Sequence, residues 1–186
     1  MPPSVRVTKK ELINAAIELV RESGADAINA RTLASALNCS TQPVFSNFAT
    51  MEELRMAVVV TADALYQEYV SRETASGKYP PYKASGMAYI RFAKEQKELF
   101  KLLYMCDRSG EDVPAEEQSF TQMTDMVRQN TGVDNDTARL FHLEMWAYVH
   151  GVATMFATGF LDLDWELVSK MLTDAYQGLR KQYGME

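Results

Sequence analysis

Apolar residues recur with the period of an α-helix in almost every segment of this 186-residue chain, and the alternation typical of β-strands is nearly absent. Capping residues divide this pattern, because Ser, Thr, Asn or Asp precede its apolar stretches and Gly, Asn or Pro often follow them. The predicted fold is therefore all-α, with about nine helices. A hydrophobic content of 47% suffices for a core in one domain or two small ones.

Capping boxes mark two of the helix starts, Thr8 with Glu11 and Thr50 with Glu53. The run SGKYPPY at 76–82 is the one clear linker-like break. The predicted helices, including the caps assigned to the first four, span 8–24, 29–38, 40–48, 50–71, 82–94, 98–105, 114–130, 134–158 and 164–183. We expect two domains, namely an N-terminal group of three helices in 1–50 and a C-terminal bundle in 73–186. The helix over 51–72 links them.

Residues 38–54 are predicted to form a tight turn, a short helix and a new helix start. Asn38 suits the turn because Asn tolerates a positive φ, and Ser40 is predicted to cap the short helix. The apolar contacts of that helix are predicted to come from Val44, Phe45 and Phe48. A short helix held between two others, with polar residues on its outer face, is how a helix-turn-helix presents side chains to the DNA major groove.

The polar side chains of this segment have a role in the DNA-binding interpretation. Gln42 would bond a base edge, with adenine as its best geometric match, and Thr41 would meet a base or a thymine methyl group. Asn47 would contact a phosphate, as would Arg31 at the positive N-terminus of the second helix. The alternative for all of them is an ordinary solvated helix face.

The net charge of −6 argues against a protein that coats nucleic acid along its whole surface. Residues 1–50 carry +1, so the remainder carries −7. A near-neutral N-terminal segment (1–50, here called the head) followed by an acidic remainder is compatible with contact to DNA at one end only. The basic residues of the head are Arg6, Lys9, Lys10, Arg21 and Arg31.

Several classes of protein find no support in the sequence. Cys39 and Cys106 suggest neither a disulfide framework nor a metal site. No signal peptide and no apolar run of membrane-spanning length is apparent, so a cytoplasmic location is predicted. No nucleophile–base pair, glycine-rich phosphate loop or suitably spaced carboxylate pair appears. The chain is therefore predicted not to be an enzyme and to need no cofactor.

The order of these signals resembles the tetracycline-repressor-like (TetR/AcrR) family of bacterial transcriptional regulators over roughly residues 8–60. The residues that carry the resemblance are Gly24, Asn29, Asn38, Cys39, Ser40, Phe48, Thr50, Glu53 and Leu54. A second stretch, Trp146-Ala-Tyr-Val-His150-Gly151, resembles the tryptophan–histidine–glycine (WHG) signature in the C-terminal domain of one branch of that family.

The resemblance implies a homodimer of all-helical subunits that binds roughly palindromic, double-stranded operator DNA, usually as a repressor. It also implies a small-molecule effector, bound in the C-terminal bundle, that releases the DNA. The predicted DNA-binding residues are Arg31, Ser40, Thr41, Gln42, Phe45, Asn47, Thr50 and Met51.

Two of these positions depart from the family, which usually has Tyr in place of Phe45 and Lys in place of Met51. Phe45 lacks the hydroxyl and Met51 the charge that suit a phosphate contact. One interpretation is a weaker electrostatic grip on DNA, or phosphate contacts moved to Lys9, Lys10 or Arg6. The alternative is a ligand-binding or partner-binding module that has lost operator binding.

Two further sets of residues are assigned in the C-terminal bundle. Candidate effector contacts are Met87, Phe92, Leu103, Met123, Met126, Phe141, Met145, Trp146 and His150, with core packing as the alternative. For Trp146 and His150 packing is favoured, and with His142 they lack a third metal donor. The predicted dimer surface, through the last two helices, comprises Val149, Val152, Ala153, Phe156, Phe160, Trp165, Val168, Leu172 and Tyr176, which would otherwise complete the subunit core.

Overall fold

A computed structural model describes residues 7–106 and 114–185, with the backbone alone for 114–118. Nine α-helices and one short 3₁₀ turn, Ala25–Ala27, account for the secondary structure of this part of the chain. The helices are α1 (Lys9–Ser23), α2 (Ala30–Ala36), α3 (Gln42–Asn47), α4 (Met51–Ala75), α5 (Pro81–Glu95), α6 (Lys97–Tyr104), α7 (Pro114–Thr131), α8 (Asn135–Ala157) and α9 (Trp165–Gln182). The predicted all-α class and helix number are confirmed.

Local caps explain why the helices begin where they do. Thr8 and Glu11 form the predicted reciprocal box, and Asn29 accepts hydrogen bonds from two amides at the start of α2. Asp134 and Asp164 cap α8 and α9 in the same way. These hydrogen bonds satisfy amides that have no partner within the helix.

The chain divides into two compact units. The first contains the sequence up to Gln67 together with Gln96–Cys106, and the second contains Glu68–Glu95 together with the sequence from Asp107 onwards. Helix α4 therefore runs from one unit into the other, and α6 belongs to the first unit. The functional assignment of 1–50 and 73–186 stays a prediction.

In the first unit, α1 packs against α2, α6 and the 3₁₀ turn, and α2 packs against α3. Its fully buried side chains include Leu12, Val20, Leu33, Leu54, Val58 and Phe100. All of them are apolar, so burial of apolar surface is the main force that holds these short helices together.

In the second unit, α8 packs along α5, and α7 and α9 flank this pair. Gly86 of α5 permits a close approach, because a Cβ atom there would lie 3.2 Å from Cδ2 of Leu172 on α9 and 3.5 Å from Cγ2 of Val149 on α8. Fully buried Met87, Ile90 and Phe141 complete this core.

Asn38 makes the turn between α2 and α3 in the left-handed region, with φ of 50°. It is the one non-glycine residue with positive φ in the described ranges, as its position in the sequence predicted. The amide of Cys39 next to it donates to the carbonyl of Ala34 and so closes the end of α2.

We expect Asn38→Ala to lower the free energy of unfolding by about 1 kcal/mol, because Ala adopts the left-handed region less readily than Asn. Asn38→Gly should preserve or raise stability. Urea unfolding followed by circular dichroism measures both. Asn14→Ala, the same change on the exposed side of α1, is the matched control and should not destabilise. An equal response of the two Ala variants would contradict the assigned conformation.

Candidate functional site

Helices α2 and α3, joined by the turn at Asn38, have the arrangement of a helix-turn-helix. Seven residues form α2 and six form α3, so neither helix is stable without its neighbours. Val44 and Phe48 supply the buried contacts of α3, being 1% and 2% exposed. The opposite face of α3 is therefore free to meet a partner.

Asn47 ties the end of α3 to the rest of the unit. Its amide nitrogen lies 3.2 Å from the carbonyl oxygen of Val7 and 2.8 Å from that of Pro43. An amide group has two donor hydrogens, and both are engaged. The remaining side-chain oxygen is an acceptor and cannot bind a phosphate, so the geometry opposes the predicted phosphate role of Asn47.

Gln42, Phe45 and Ser46 share the outer face of α3, at positions i, i+3 and i+4. The Ser46 hydroxyl donates to the carbonyl of Gln42, at 2.9 Å. The Phe45 ring is 56% exposed. The prediction that Phe45 packs beneath the helix with Val44 and Phe48 is therefore wrong.

The predicted cap of α3 is also wrong. The helix begins at Gln42, after Thr41 in a helical conformation, and has no side-chain cap. With Ser40 as the cap, the third helical residue would be Pro43, which has no N–H for the Ser40 hydroxyl to accept. Ser40 is exposed and Thr41 half-buried.

The start of α4 lies beside this segment. The Thr50 hydroxyl accepts from the amide of Glu53 at 3.0 Å, as predicted. The Glu53 carboxylate bonds the amide of Ala49 instead of that of Thr50, at 2.8 Å. The hydrogen bond from that amide lowers the pKa of Glu53 below its usual value. A second hydrogen bond, from Nζ of Lys9 to Oε1 of Glu53 at 3.0 Å, adds to this effect. Met51 is half-buried.

The stretch of sequence that contains α3 carries no negative charge. No acidic residue occurs from 27 to 51, although the chain has 25 Asp and Glu in all. Arg31, the one charged residue of this stretch, is exposed, and no ion pair of it occurs in the described part. Lys9 is bound to Glu53 and lies over the ring of Phe48, which leaves Lys10 as the freer of the two lysines. Arg6 lies outside the described residues.

The candidate effector contacts differ in burial and belong to both units. Met87, Phe92 and Phe141 are fully buried, Met145 is nearly so, and Met123 and Met126 are half-buried. Leu103 lies in the first unit, on α6. The burial of Met87, Phe92, Phe141 and Met145 agrees with core packing, which was the alternative to an effector contact for these residues.

Two open grooves lie on the second unit, and neither contains a predicted effector contact. One, of about 250 Å³, is lined by Phe120, Asp136, Arg139, Leu140 and Leu143. The other, of about 460 Å³, is lined by Glu144, Tyr148, Ala175, Gly178 and Leu179. Both lie partly on the exposed side of α8 and are lined there by residues that were not assigned to an effector.

Tyr–His pairs bridge α5 and α8 at two levels. The Tyr82 hydroxyl lies 2.9 Å from Nδ1 of His142, and the Tyr89 hydroxyl lies 2.9 Å from Nδ1 of His150. Burial raises the pKa of Tyr82, so the phenol keeps its proton, and the tautomer of His142 sets which of the two groups donates. Burial also lowers the pKa of His142 to about 4, which keeps His142 neutral at pH 7, and it lowers the pKa of His150.

Sequence reasoning missed Tyr82 and Tyr89 as the partners of these histidines. The signal was present, because the tyrosines are seven residues apart and the histidines eight, so each pair lies on one face of its helix. His150 stacks on Trp146, with ring centroids 5.2 Å apart, as well as bonding Tyr89. The favoured packing interpretation of His150 therefore has a specific geometry, while Trp146 remains 43% exposed.

The predicted dimer residues are mostly internal. Those within the core of the second unit are Val149, Val152, Ala153, Phe156, Val168 and Leu172, whereas Trp165 and Tyr176 are half-buried. Only Phe160 of that set is exposed, at 76%. The exposed large apolar residues of the α8–α9 region are instead Leu140, Leu143, Trp146, Tyr148, Met155, Phe160, Leu161 and Leu167. The prediction took the inner face of these helices for the outer one.

Comparison with known proteins gives the family and the fold. Residues 82–175 match the family model described as tetracyclin repressor-like, C-terminal domain. No curated protein matches the chain. The structure resembles a TetR-like transcriptional regulator from Rhodococcus sp. RHA1, with 15% identity over 99% of each chain and a TM-score of 0.68.

Two further solved structures share the fold. A protein of unknown function from Rhodococcus sp. RHA1 has 21% identity over 98% of each chain and a TM-score of 0.74. A member of the TetR family from Streptomyces coelicolor A3 has 19% identity over 90% of this chain and 96% of that chain, with a TM-score of 0.64. At these identities the likeness establishes the fold alone. The assignment to the WHG branch stays a prediction.

We expect His142 to make the protein sensitive to acid. The unfolded chain, with a His pKa of about 6.5, binds more protons than the folded state down to about pH 4. The contribution of His142 is therefore fully present above pH 6.5 and lost as the pH falls to 4. Its size is on the order of 1–3 kcal/mol.

Urea unfolding of the wild type and of His142→Gln at pH 7 and pH 4.5 measures this contribution. The variant should lose less stability between the two pH values than the wild type does. His150→Gln, at a histidine that is less buried than His142, is the matched control and should change the pH dependence less. Identical pH dependence in the wild type and His142→Gln would contradict the buried, neutral imidazole.

Proposed function

The chain belongs to the tetracycline-repressor-like (TetR) family, and on that premise we propose that it is a DNA-binding regulator of transcription that acts as a homodimer and responds to a small molecule. One observation carries the DNA-binding part. The outer face of α3, in helix-turn-helix geometry, is exposed and lies in a stretch without acidic residues from 27 to 51. No acidic side chain of that stretch would repel a polyanion.

Gln42 has the clearest role in base recognition, because it is exposed at the first turn of α3 and its amide matches the N6 and N7 atoms of adenine. Thr41 makes no cap bond, so its hydroxyl is available for a base or a phosphate. Arg31 supplies a phosphate contact from the start of α2. The contacts assigned to Ser40, Thr50 and Met51 are positioning contacts at the edge of this face.

Dimerisation is proposed through the outer faces of α8 and α9. Leu140, Leu143 and Met155 lie on one side of α8, on either side of Ala147 and Gly151. A Cβ atom at Gly151 would meet no other group within 4 Å, so this face is open to a second helix. Small residues flanked by larger apolar ones allow two helices to approach closely, and a two-fold axis would pair the stripe with itself.

Release of the DNA by an effector, and repression as the usual outcome, are proposed from membership of the family. Half of the candidate contacts in the second unit are buried in the core, so an effector would need to displace packed side chains there or use one of the two open grooves. Methionine side chains such as Met123 and Met126 adapt to such a change more readily than branched ones.

The proposal leaves the chain without an enzymatic role and places it in the cytoplasm, where it meets operator DNA. Every helix within 7–106 and 114–185 is too short or too polar to span a membrane. The alternative, a ligand-binding or partner-binding module without an operator, is favoured by the departures at Phe45 and Met51. It predicts that no DNA sequence is enriched by the protein.

We expect selection from a random double-stranded library, with the full chain as bait, to enrich a roughly palindromic site. Gln42→Ala should weaken binding to that site by about 1–3 kcal/mol and relax base preference at one position per half-site. Fluorescence anisotropy across a salt series measures the affinity.

Arg31→Ala should weaken binding to all sequences alike and reduce the salt slope by about one unit for each subunit. Lys97→Ala, an exposed lysine on α6, is the charge-matched control and should alter neither quantity. Failure of the library to converge on any sequence would contradict the proposal and favour the alternative module.

We expect Gly151→Leu to convert the dimer to a monomer, because the larger side chain holds the two α8 helices apart. Light scattering coupled to size-exclusion chromatography measures the mass. Gly178→Ala, with no group near the added Cβ, is the control for a small change on α9 and should leave the dimer intact. A wild type that is monomeric at micromolar concentration, or a dimeric Gly151→Leu variant, would contradict this interface.

A further inference from the structure

The aromatic ring of Phe45 lies on the surface where the core of the unit makes no use of it. Val44 and Phe48, its neighbours on the inner face, are almost completely buried, while Phe45 is 56% exposed. A Phe side chain left in water forgoes the free energy that burial would supply. A partner that covers the ring would recover that energy.

The surroundings of the ring point to nucleic acid as that partner. Within the acid-free stretch 27–51, Phe45 stands between Gln42 and Ser46 on the outer face of α3. The Ser46 hydroxyl already donates within the helix. The face therefore offers one amide group and one aromatic ring, without a negative charge to repel phosphates.

Spacing places the two side chains on neighbouring base pairs. Residues three apart in an α-helix are separated by about 4.5 Å along its axis, and stacked base pairs by about 3.4 Å. With the Gln42 amide on one base pair, this spacing would bring the ring of Phe45 close to the next one. The apolar group of the major groove is the C5-methyl of thymine, and Phe is among the side chains that contact it.

We propose that Phe45 is a specificity-determining residue that packs against the C5-methyl group of a thymine, on the base pair next to the one that Gln42 contacts. The inference rests on the proposed DNA-binding function and adds to it the chemical group that Phe45 recognises. It also gives the hydroxyl-free ring a role that differs from a phosphate contact, because Phe45 has no donor for a phosphate oxygen.

The test removes single methyl groups from the DNA. Each thymine of the selected site is replaced by deoxyuridine, which lacks only that methyl group, and affinity is measured by fluorescence anisotropy for the full-length protein. For the wild type we expect one thymine per half-site at which the replacement raises the Kd about fourfold, the ratio expected for one buried methyl group. Phe45→Ala should bind thymine and uracil at that position equally.

Three further measurements sharpen the test. In the first, the critical thymine–adenine pair is replaced by a 5-methylcytosine–guanine pair or by an unmethylated cytosine–guanine pair. The wild type should bind the methylated site more tightly than the unmethylated one, and Phe45→Ala should bind the two sites equally. Phe45→Leu, which keeps an apolar side chain, should retain part of the sensitivity to methyl groups. Val60→Ala removes another exposed apolar side chain of the first unit and should leave the uracil profile unchanged.

The outcomes separate this inference from the function on which it rests. If no DNA sequence is bound specifically, both are overturned. If the selected site is bound and Gln42→Ala weakens it, while the wild type and Phe45→Ala respond alike to every uracil replacement, only the role of Phe45 is overturned. A Phe45→Ala variant that loses affinity equally on all sites would place the ring against the sugar–phosphate backbone and would likewise overturn the methyl contact.

Discussion

A helix of six residues cannot stay folded by its own hydrogen bonds, and the first unit is organised around this constraint. Val44 and Phe48 anchor α3 from below, and the Asn47 amide fixes its end to two backbone carbonyls. Helix α2 packs against α3, and α1 in turn packs against α2 and α6. Because the inner side chains and Asn47 hold the helix, the outer residues are not needed for stability and can serve recognition.

In the second unit, polar groups lie between closely packed helices and need hydrogen-bond partners there. Gly86 lets α5 approach α8 and α9, and the two Tyr–His pairs satisfy hydrogen-bonding groups along the contact between α5 and α8. Unsatisfied polar groups in such a position would destabilise the fold. The apolar residues that remain outside this core lie on α8, α9 and their connection, where a second subunit is proposed to bind.

The helix limits could be predicted from sequence because caps are local. Thr8, Asn29, Asp134 and Asp164 act on amides two or three residues away, and each is found at the expected start. The one cap that failed, Ser40, failed for a local reason as well, since Pro43 lacks the amide. The all-α class and the helix-turn-helix order followed from the same signals.

Orientation was harder to predict, because burial depends on residues distant in sequence. From the sequence, Phe45 was predicted to be a core residue, but the packing of α3 places it on the exposed side of the helix. Asn47 was predicted to bind a phosphate, but its amide donates to the carbonyl of Val7, which lies forty residues earlier in the sequence. The two faces of α8 are both apolar enough that periodicity alone did not separate core from surface.

The hydrogen bond from Asn47 to Val7 bears on how binding could be regulated. A helix held in this way is preorganised, so the entropy of ordering α3 is lost on folding and not on contact with a partner. In the proposed dimer, melting α3 would therefore cost more free energy than moving it as a rigid body. An effector of the proposed kind would release DNA by changing the separation of the two recognition helices, so that they no longer match successive turns of the double helix.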